Sequence, residues 1–562
     1  MKYFFRALLT FMIVSILATA QLEDRLESLR LLAPMNQELN TFSESVNALA
    51  KKRQDSLLRS ETAKRIGFSR IQIPKVQDSD QISDSDSDQI FQQIKVEERQ
   101  SLVLGLFPDL EVEVIRTKTI THPNQIKTWV GHVRSDPYSF VVLSFDPRGL
   151  VGYLNIHGQT FSISPMGEGL HLISENKLNK LGGTEPDSFP PPTLTADPAV
   201  KPLADTFNDG TFVDIMGLYS ATALSNDPSI VTTITNIIAA TNESLAKSCV
   251  KFRLRLVHTG LSSHDESISG GNLLNCMADA TDGCLDDIPA LRATHGADIV
   301  SMFQWAPTAV GYIPSIGLSN PAAGFNALGL EGGLNTESFL HEFGHNMGIN
   351  HDRYSEDVSL HDYADPKGAA YDYIDTANGF STNTSRGSSC YYSELGCFFS
   401  GYYSNPRVLR YGHPMGIPGI SDGVSIANQM AVHLANYAQA ITDHDPDLSG
   451  CQMTAEAPKS SPQCFISTAA FGSSLHPYVE DLRIFRDRRL NSNELGKTFV
   501  EFYYRVSPGL AALISNNPSL QLPSRMLLAP MIWFILDPLK ASLVALLALV
   551  FVLSPSLVRR FR

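Results

Sequence analysis

The 562-residue chain has 43% hydrophobic residues, 18% charged residues and a formal net charge of −14. This composition fits several folded domains and excludes a chain that is disordered throughout. The acidic excess argues against a nucleic-acid partner, because such a partner requires a basic surface.

The N-terminus has the pattern of an export signal. Lys2 and Arg6 precede an apolar run over residues 7–16, and the small residues Ala18-Thr19-Ala20 follow it. We therefore expect residues 1–20 to be a signal peptide that is removed after Ala20. The alternative is an uncleaved membrane anchor, although the apolar run is short for a membrane span.

Residues 21–205 divide into two predicted regions. Residues 21–100 contain helix-like spacing at 22–32 and a Ser/Asp-rich stretch at 76–91, so we expect a helical segment followed by a flexible linker. Strict alternation at 110–114 and a short apolar run at 140–145 predict strands, with turn residues between such runs. The segment 101–205 is therefore predicted to be an antiparallel β-rich domain that ends in a proline-rich linker.

Strand and helix patterns alternate from residue 206 to residue 450. Strand-like runs at 212–218, 250–257 and 297–303 are interspersed with helical spacing at 230–245 and 285–294. This order predicts an α/β domain built on a mixed sheet.

The chemistry of this domain is concentrated at 341–352, which reads His-Glu-Phe-Gly-His-Asn-Met-Gly-Ile-Asn-His-Asp. On a helix predicted over 336–348, His341 and His345 share one face and can reach one metal ion. Gly348 allows the chain to leave the helix and turn back, so that His351 supplies a third ligand. Three protein ligands leave one position open, as a catalytic Zn²⁺ site requires. Glu342, next to the first ligand, is the predicted general base. The alternative, a buried helix with incidental histidines, is serious for a bare His-Glu-x-x-His but not for this extended form.

The motif resembles that of the reprolysin (adamalysin) branch of the metzincins, in which an Asp follows the third His, here Asp352. The resemblance covers about residues 211–446 and includes Val213-Asp214-Ile215-Met216 and Tyr403-Ser404-Asn405-Pro406. It implies an α/β metzincin domain that hydrolyses peptide bonds of proteins, with zinc polarising the carbonyl and Glu342 taking a proton from the metal's water. Asp352 is expected to position the loop that carries His351. The preceding β-rich region looks like the pro-region of bacterial reprolysin-like proteases.

One part of the sequence departs from the metzincin pattern. Metzincins place a methionine beneath the metal, but no methionine lies between Met347 and Met415, and Met415 comes too late. Alignment on the segment 403–406 puts Cys390 at the position of that methionine. Cys390 either packs there as a free thiol or forms a disulfide with Cys397, and we favour the disulfide because the expected export would expose the pair to an oxidising compartment.

The cysteines support export and limit how the enzyme is kept inactive. Cys276 and Cys284 close a second short loop, and an exported compartment permits that disulfide as well. Seven cysteines is an odd number, so at least one thiol is free or pairs otherwise. No cysteine precedes Cys249, so the pro-region thiol that silences many relatives has no counterpart here. Residues 21–205 are expected to assist folding or to block the cleft sterically.

The tail at 451–562 has two further features. Cys464-Phe465-Ile466, followed by a run of small residues, resembles a C-terminal sorting-type box of exported bacterial proteins. After a linker and box region at 451–525, the segment 526–562 is predicted to be a helical membrane anchor. Residues 541–558 carry no charge and could span a bilayer, and Arg559, Arg560 and Arg562 mark the cytoplasmic end.

Two function classes remain open on sequence alone. The favoured one is an exported, membrane-anchored zinc endopeptidase, and the other is a cell-surface binding or adhesion protein with a structural or vestigial zinc site. The presence of Glu342 favours the enzyme, because a structural site needs no base. A cytosolic zinc aminopeptidase is opposed by the signal and by His351. Oligomeric state and substrate sequence stay open.

Overall fold

The structure is a computed structural model of the chain. It divides into two compact units, Met1–Ile374 with Phe380–Ala457, and Asp375–Gly379 with Pro458–Arg562. The β-rich region and the α/β region both belong to the first unit. The structure describes residues 29–35, 42–60, 62–72, 96, 99–177, 188–192, 209–306, 309–317, 319–333, 335–352, 371–375, 380–385, 398–419 and 421–438, with scattered residues between 466 and 528.

The N-terminal region is a closed barrel of nine strands with one helix on its surface. Strands β3 to β9 are antiparallel neighbours in chain order, β2 pairs antiparallel with β9, and β1 closes the ring by pairing in parallel with β3. Apolar side chains such as Trp129, Leu143 and Leu154 form its core. The elements are β1 Leu29–Pro34, α1 Glu44–Ser60, β2 Ala63–Ile71, β3 Ser101–Phe107, β4 Leu110–Thr121, β5 Lys127–Val133, β6 Asp136–Asp146, β7 Gly149–Ile156, β8 Gln159–Gly167 and β9 Leu170–Asn176.

The barrel confirms the β-rich prediction but begins earlier than predicted. The helix predicted over 22–32 is wrong where the structure describes it, because Leu29–Pro34 is strand β1. Both neighbours of β1 come from later in the chain, and Leu31 and Leu32 are fully buried. Pairing with distant strands thus outweighs the local helical spacing. The segment 21–100 therefore supplies two barrel strands as well as the helix α1.

The α/β region follows, and its main sheet is mixed, as predicted. The strand order is β10-β14-β15-β13-β11-β12, with β14 antiparallel to β15 and the other neighbours parallel. The elements of this region are β10 Ser188–Phe189, β11 Phe212–Tyr219, α2 Ala221–Asn226, α3 Ile230–Ser248, β12 Arg253–Leu261, α4 Gly270–Ala278, α5 Ile288–His295, β13 Ile299–Gln304, β14 Val310–Tyr312, a 3-10 turn Pro321–Ala323, β15 Phe325–Gly329, α6 Asn335–Asn346, β16 Asn350–Asp352, β17 Tyr371–Asp372, β18 Ile374–Asp375, β19 Phe380–Ser381, β20 Phe398–Phe399, β21 Asn405–Arg410, β22 His413–Met415 and α7 Gly423–Leu434.

Helix α3 joins the barrel to the α/β region. One of its faces belongs to the core of the α/β region, through residues such as Ile234 and Ile237. On another face, Ala239 and Ala240 pack against Phe140 and other barrel side chains. The helix is buried on both faces, so the barrel and the sheet share a continuous apolar contact.

The structure tests only some of the predictions made for the cysteines and for the two ends of the chain. The Cys276–Cys284 disulfide is present, which confirms that pairing. The Cys390–Cys397 pair, the signal at 1–20 and the anchor at 541–558 lie outside the described residues. Within the part of the chain that the structure does describe, no helix is long and apolar enough to cross a membrane.

Candidate metal centre

Helix α6 carries the first half of the motif and ends at Asn346, two residues before the predicted end at 348. Gly348 has a φ of +83°, the left-handed conformation that favours glycine. Its amide donates to the carbonyl of His345 at 2.8 Å, and the amide of Ile349 donates to the carbonyl of Gly344 at 3.0 Å. These two bonds form a Schellman motif, which stops the helix and reverses the chain. Strand β16, with His351, then returns to the helix.

The apolar face of α6 is buried as predicted. Leu340, Phe343 and Met347 are fully buried in the core of the α/β region. The opposite face, which carries His341 and His345, therefore points toward strand β16.

The imidazoles of His341, His345 and His351 converge on one point. Their Nε2 atoms are 3.1 to 3.3 Å apart, and all three residues are at most 3% exposed. Tetrahedral ligation at about 2.0–2.1 Å requires ligand separations of about 3.3–3.4 Å, so the triad fits one zinc ion. The ring of His345 donates from Nδ1 to the carbonyl of Ile349 at 2.9 Å when that nitrogen carries the proton. This bond leaves Nε2 available as a ligand.

Glu342 lies beside the triad and against strand β14. It is 2% exposed. A β-carbon built on Gly311 of β14 would lie 3.1 Å from Oε2 of Glu342 and 3.0 Å from its main-chain oxygen. The carboxylate is therefore enclosed between its own helix and a strand that can approach it because it carries a glycine there.

Two buried polar side chains hold α6 in place. Nδ2 of Asn346 lies 2.9 to 3.2 Å from the carbonyl oxygens of Tyr312, Ala323 and Phe325, which belong to the end of β14, the 3-10 turn and the start of β15. The hydroxyl of Tyr403 donates to the carbonyl of Leu340 at 2.8 Å. Neither role is among the sequence-based predictions. The motif contains Asn346 and the segment 403–406 contains Tyr403, but neither pattern indicates what these side chains contact.

The chain after His351 is held by two buried aspartates. Ser385 donates to Oδ2 of Asp352 at 3.2 Å, a contact that fits the predicted role of Asp352 in positioning this loop. Asp372, on the neighbouring strand β17, accepts from the amide of Ser404 at 3.0 Å. Burial raises the pKa of Asp372 to about 6, against the opposing effect of its hydrogen bonds. The turn expected beneath the metal, at 389–392, lies outside the described residues.

The first turn of α6 is tied to the barrel. Glu337 is fully buried, and Nδ2 of Asn176 at the end of β9 donates to its Oε1 at 3.2 Å. Burial among barrel side chains raises the pKa of Glu337 above its usual range, although hydrogen bonds oppose the shift. The helix that carries the histidines therefore depends on the barrel at one end and on Asn346 at the other.

The segment that contains the histidine triad is similar to a known family of enzymes. Residues 212–392 match the M12B reprolysin-like family of metallopeptidases. These residues are similar to reprolysin-like metzincin domains, and we refer to the α/β region that contains them as the metzincin domain. The family's cofactor is zinc, which agrees with the convergence of the three histidines.

Three proteins illustrate the likeness. A peptidyl-Asp metalloendopeptidase of Pseudomonas aeruginosa is 29% identical over 252 residues, and the match covers 40% of this chain and 40% of that protein. One of Stenotrophomonas maltophilia is 23% identical over 55% of this chain and 77% of that protein. The solved structure of metalloproteinase-II from Bacteroides fragilis has 14% identity and a TM-score of 0.30, over 51% of this chain and 92% of that chain. The chain thus aligns with less than half the length of the Pseudomonas protein.

Proposed function

We propose that the chain is a zinc-dependent endopeptidase, in which His341, His345 and His351 hold the metal and Glu342 is the general base. The observation that carries the proposal is the convergence of three buried Nε2 atoms within 3.3 Å, with a buried carboxylate on the adjacent residue. A structural zinc site, as in a binding or adhesion protein, gives no reason for that carboxylate.

The residues divide the chemistry of peptide hydrolysis between them. When bound, zinc supplies Lewis acidity toward the scissile carbonyl and toward water. Glu342 accepts a proton from the attacking water and delivers it to the leaving amine. Asn346 and Tyr403 keep the helix fixed, so that the carboxylate and the imidazoles keep their relative positions during the reaction.

The substrates are proteins or peptides. The relatives are named peptidyl-Asp metalloendopeptidases, and we extend to this chain a preference for a bond next to aspartate. A pair of peptides that differ only in Asp or Asn at one position is therefore the appropriate substrate set. Faster cleavage of the Asp peptide is expected.

The enzyme is proposed to act outside the cytoplasm. The export signal at 1–20, the anchor at 541–558 and the arginines that follow it support this placement. The Cys276–Cys284 disulfide supports it as well, because disulfides persist in oxidising compartments. The barrel would then be the pro-region. Protease treatment of intact cells should remove the metzincin domain, and a protected domain would contradict the topology.

Metal analysis combined with a proteolysis assay tests the proposed function. The purified chain should contain about one zinc per molecule and cleave casein, and a chelator should abolish cleavage until zinc is returned. His345→Ala should lose zinc and activity together. His433→Ala on α7 should keep both, because His433 is not part of the His-Glu-x-x-His motif or of the histidine triad. A zinc-loaded chain with no proteolytic activity would instead support the binding protein.

A further inference from the structure

A tight turn of four polar residues lies buried beside helix α6. The amide of Ser385 donates to the carbonyl of Thr382 at 3.3 Å, which closes the turn 382–385 around Asn383 and Thr384. The first three residues of this turn are fully buried, and Ser385 is 4% exposed. Turns normally lie at the surface, because their backbone and polar side chains need partners. Packing of the apolar core alone gives no reason for a polar turn at this depth.

The turn contacts the helix next to the face that carries the histidines. A β-carbon on Gly344 would lie 2.1 Å from Oγ1 and 3.2 Å from Cβ and Cγ2 of Thr384, so this side chain contacts the helix backbone. At 3.6 residues per turn, Gly344 lies about 60° around α6 from His341, between the histidine face and the buried apolar stripe. Thr384 therefore supports the helix at the border of the face that carries two of the ligands.

The same turn is bonded to the segment that carries the third ligand. The hydroxyl of Ser385 donates to Oδ2 of Asp352 at 3.2 Å, and Asp352 directly follows His351. The amide of Thr384 donates to Oδ2 of Asp372, on the strand β17 that pairs with β16. The turn thus contacts both parts of the motif, the helix and the returning strand.

Further hydrogen bonds fix the turn to helix α3 and to the chain before β21. Nδ2 of Asn383 donates to the hydroxyl of Ser244 at 2.8 Å, and the amide of Asn383 donates to the carbonyl of Tyr402 at 2.8 Å. Oγ1 of Thr384, in contrast, has no hydrogen-bond partner within the part of the chain that the structure describes. The neighbouring residues therefore fix the turn, whereas the side chain of Thr384 acts by its contact with the helix.

We propose that the turn 382–385 forms the floor of the metal centre, the surface that supports helix α6 and strand β16 beside the histidines. Thr384 is then a positioning residue that sets the spacing of the three ligands, and zinc sites tolerate changes of only about 0.2 Å in ligand distance. Alignment on the segment 403–406 gives the floor position to Cys390. The contact with Gly344 gives it to Thr384 instead. This role rests on the proposed zinc endopeptidase function.

Metal binding to the full chain tests this role without a substrate. Zinc affinity is measured by competition with a chromogenic chelator, and the visible absorption of the cobalt-substituted chain reports the coordination geometry. Thr384→Ala should lower zinc affinity by about 10–100-fold, the usual effect of losing a group that orients metal ligands, and should change the cobalt spectrum. The free energy of unfolding of the metal-free chain should change little, because the lost hydroxyl has no partner among the described residues.

Two further variants separate positioning from a general loss of stability. Thr384→Ser keeps the hydroxyl that contacts Gly344, so it should lose less zinc affinity than Thr384→Ala. Val213→Ala opens a cavity in the core at β11, one strand from the opposite edge of the main sheet. It should lower the free energy of unfolding and leave the cobalt spectrum unchanged.

Ser385→Ala tests the same turn through its other contact. Loss of the hydroxyl that bonds to Asp352 should also weaken zinc binding, by a smaller factor than Thr384→Ala. Unchanged zinc affinity and an unchanged cobalt spectrum in Thr384→Ala would overturn the proposal, as would equal losses of affinity in Thr384→Ala and Thr384→Ser. Failure of the proposed function would appear separately, as an unsubstituted chain that binds zinc but does not cleave casein.

Discussion

At the residue scale, Gly344, between the two helical histidines, leaves no room for a side chain. A β-carbon there would lie 2.1 Å from Oγ1 of Thr384, far inside van der Waals contact. The glycine in His-Glu-Phe-Gly-His is therefore required by the segment that crosses the helix. Its neighbour Gly348 is required for a different reason, its positive φ.

Gly344→Ala should consequently destabilise the fold by about 1–3 kcal/mol, the usual cost of overpacking, and weaken zinc binding. Oγ1 of Thr384 has no hydrogen-bond partner among the described residues, so its removal is inexpensive. Thr384→Ala should therefore restore part of the lost stability in the double variant. Chemical denaturation of the four chains measures the coupling, and purely additive losses would contradict the contact.

Glu337 yields a prediction about pH. Its pKa is raised in the fold mainly by burial, so the folded state holds the proton more tightly than the unfolded state. That contribution to stability is fully present below the ordinary Glu pKa of about 4.3 and is lost as the pH rises through the raised value. Glu337→Gln keeps an uncharged side chain of the same shape. The stability of this variant relative to the unsubstituted chain should increase from pH 5 to pH 8, and a constant difference would contradict the burial of an ionisable group there.

At the element scale, helix α3 connects the barrel to the α/β region by polar contacts as well as by apolar packing. Nδ2 of Asn236 lies 2.9 to 3.3 Å from Oγ of Ser144 and from the carbonyls of Val142 and Val151, all in the barrel. Lys118 of β4 also forms an ion pair with Glu243 at 2.8 Å. These contacts join the barrel to helix α3 through buried hydrogen bonds as well as apolar packing.

Asn236→Ala should therefore lower the stability of the whole first unit. It leaves barrel carbonyls without a buried donor, at a cost of about 1–3 kcal/mol. Ser225→Ala on α2 is the control, because its hydroxyl is exposed and its hydrogen bonds, to the carbonyl of Thr222 and from Nδ2 of Asn226, stay within the same helix. Denaturation followed by tryptophan fluorescence should show one shifted transition for Asn236→Ala. An unshifted midpoint would indicate that the barrel and the metzincin domain unfold independently.

Local patterns were sufficient for the elements that carry their own signal. The spacing of His341 and His345, the apolar stripe of α6 and the glycine at 348 all follow from helix geometry. The strands β4, β6, β11 and β13 follow from alternation or from short apolar runs. Each of these inferences uses residues that are near each other in the chain.

The features that the sequence did not predict have one physical cause. The segment of strand β1 has helical spacing in its sequence, and its partners β2 and β3 lie tens of residues away. The burial of Glu337 against Asn176 depends on a contact between residues 161 positions apart. The pairing of β10 with β14 also joins distant segments, and the composition of the linker does not indicate which strand it pairs with. Contacts between distant segments decide these features, and no local pattern encodes them.

At the scale of the whole molecule, a barrel and a metzincin domain share helix α3, and strand β10 of the linker lies along the edge of the sheet next to the metal centre. The proposed activity requires that the buried carboxylate of Glu342 acts as a base and does not only pack against Gly311. The most direct measurement compares the zinc content and casein cleavage of the chain with those of Glu342→Gln. We expect unchanged zinc content and a loss of turnover of at least about 10²–10⁴-fold. A Glu342→Gln chain that keeps both its zinc and its full proteolytic rate would contradict the role of Glu342 as the base.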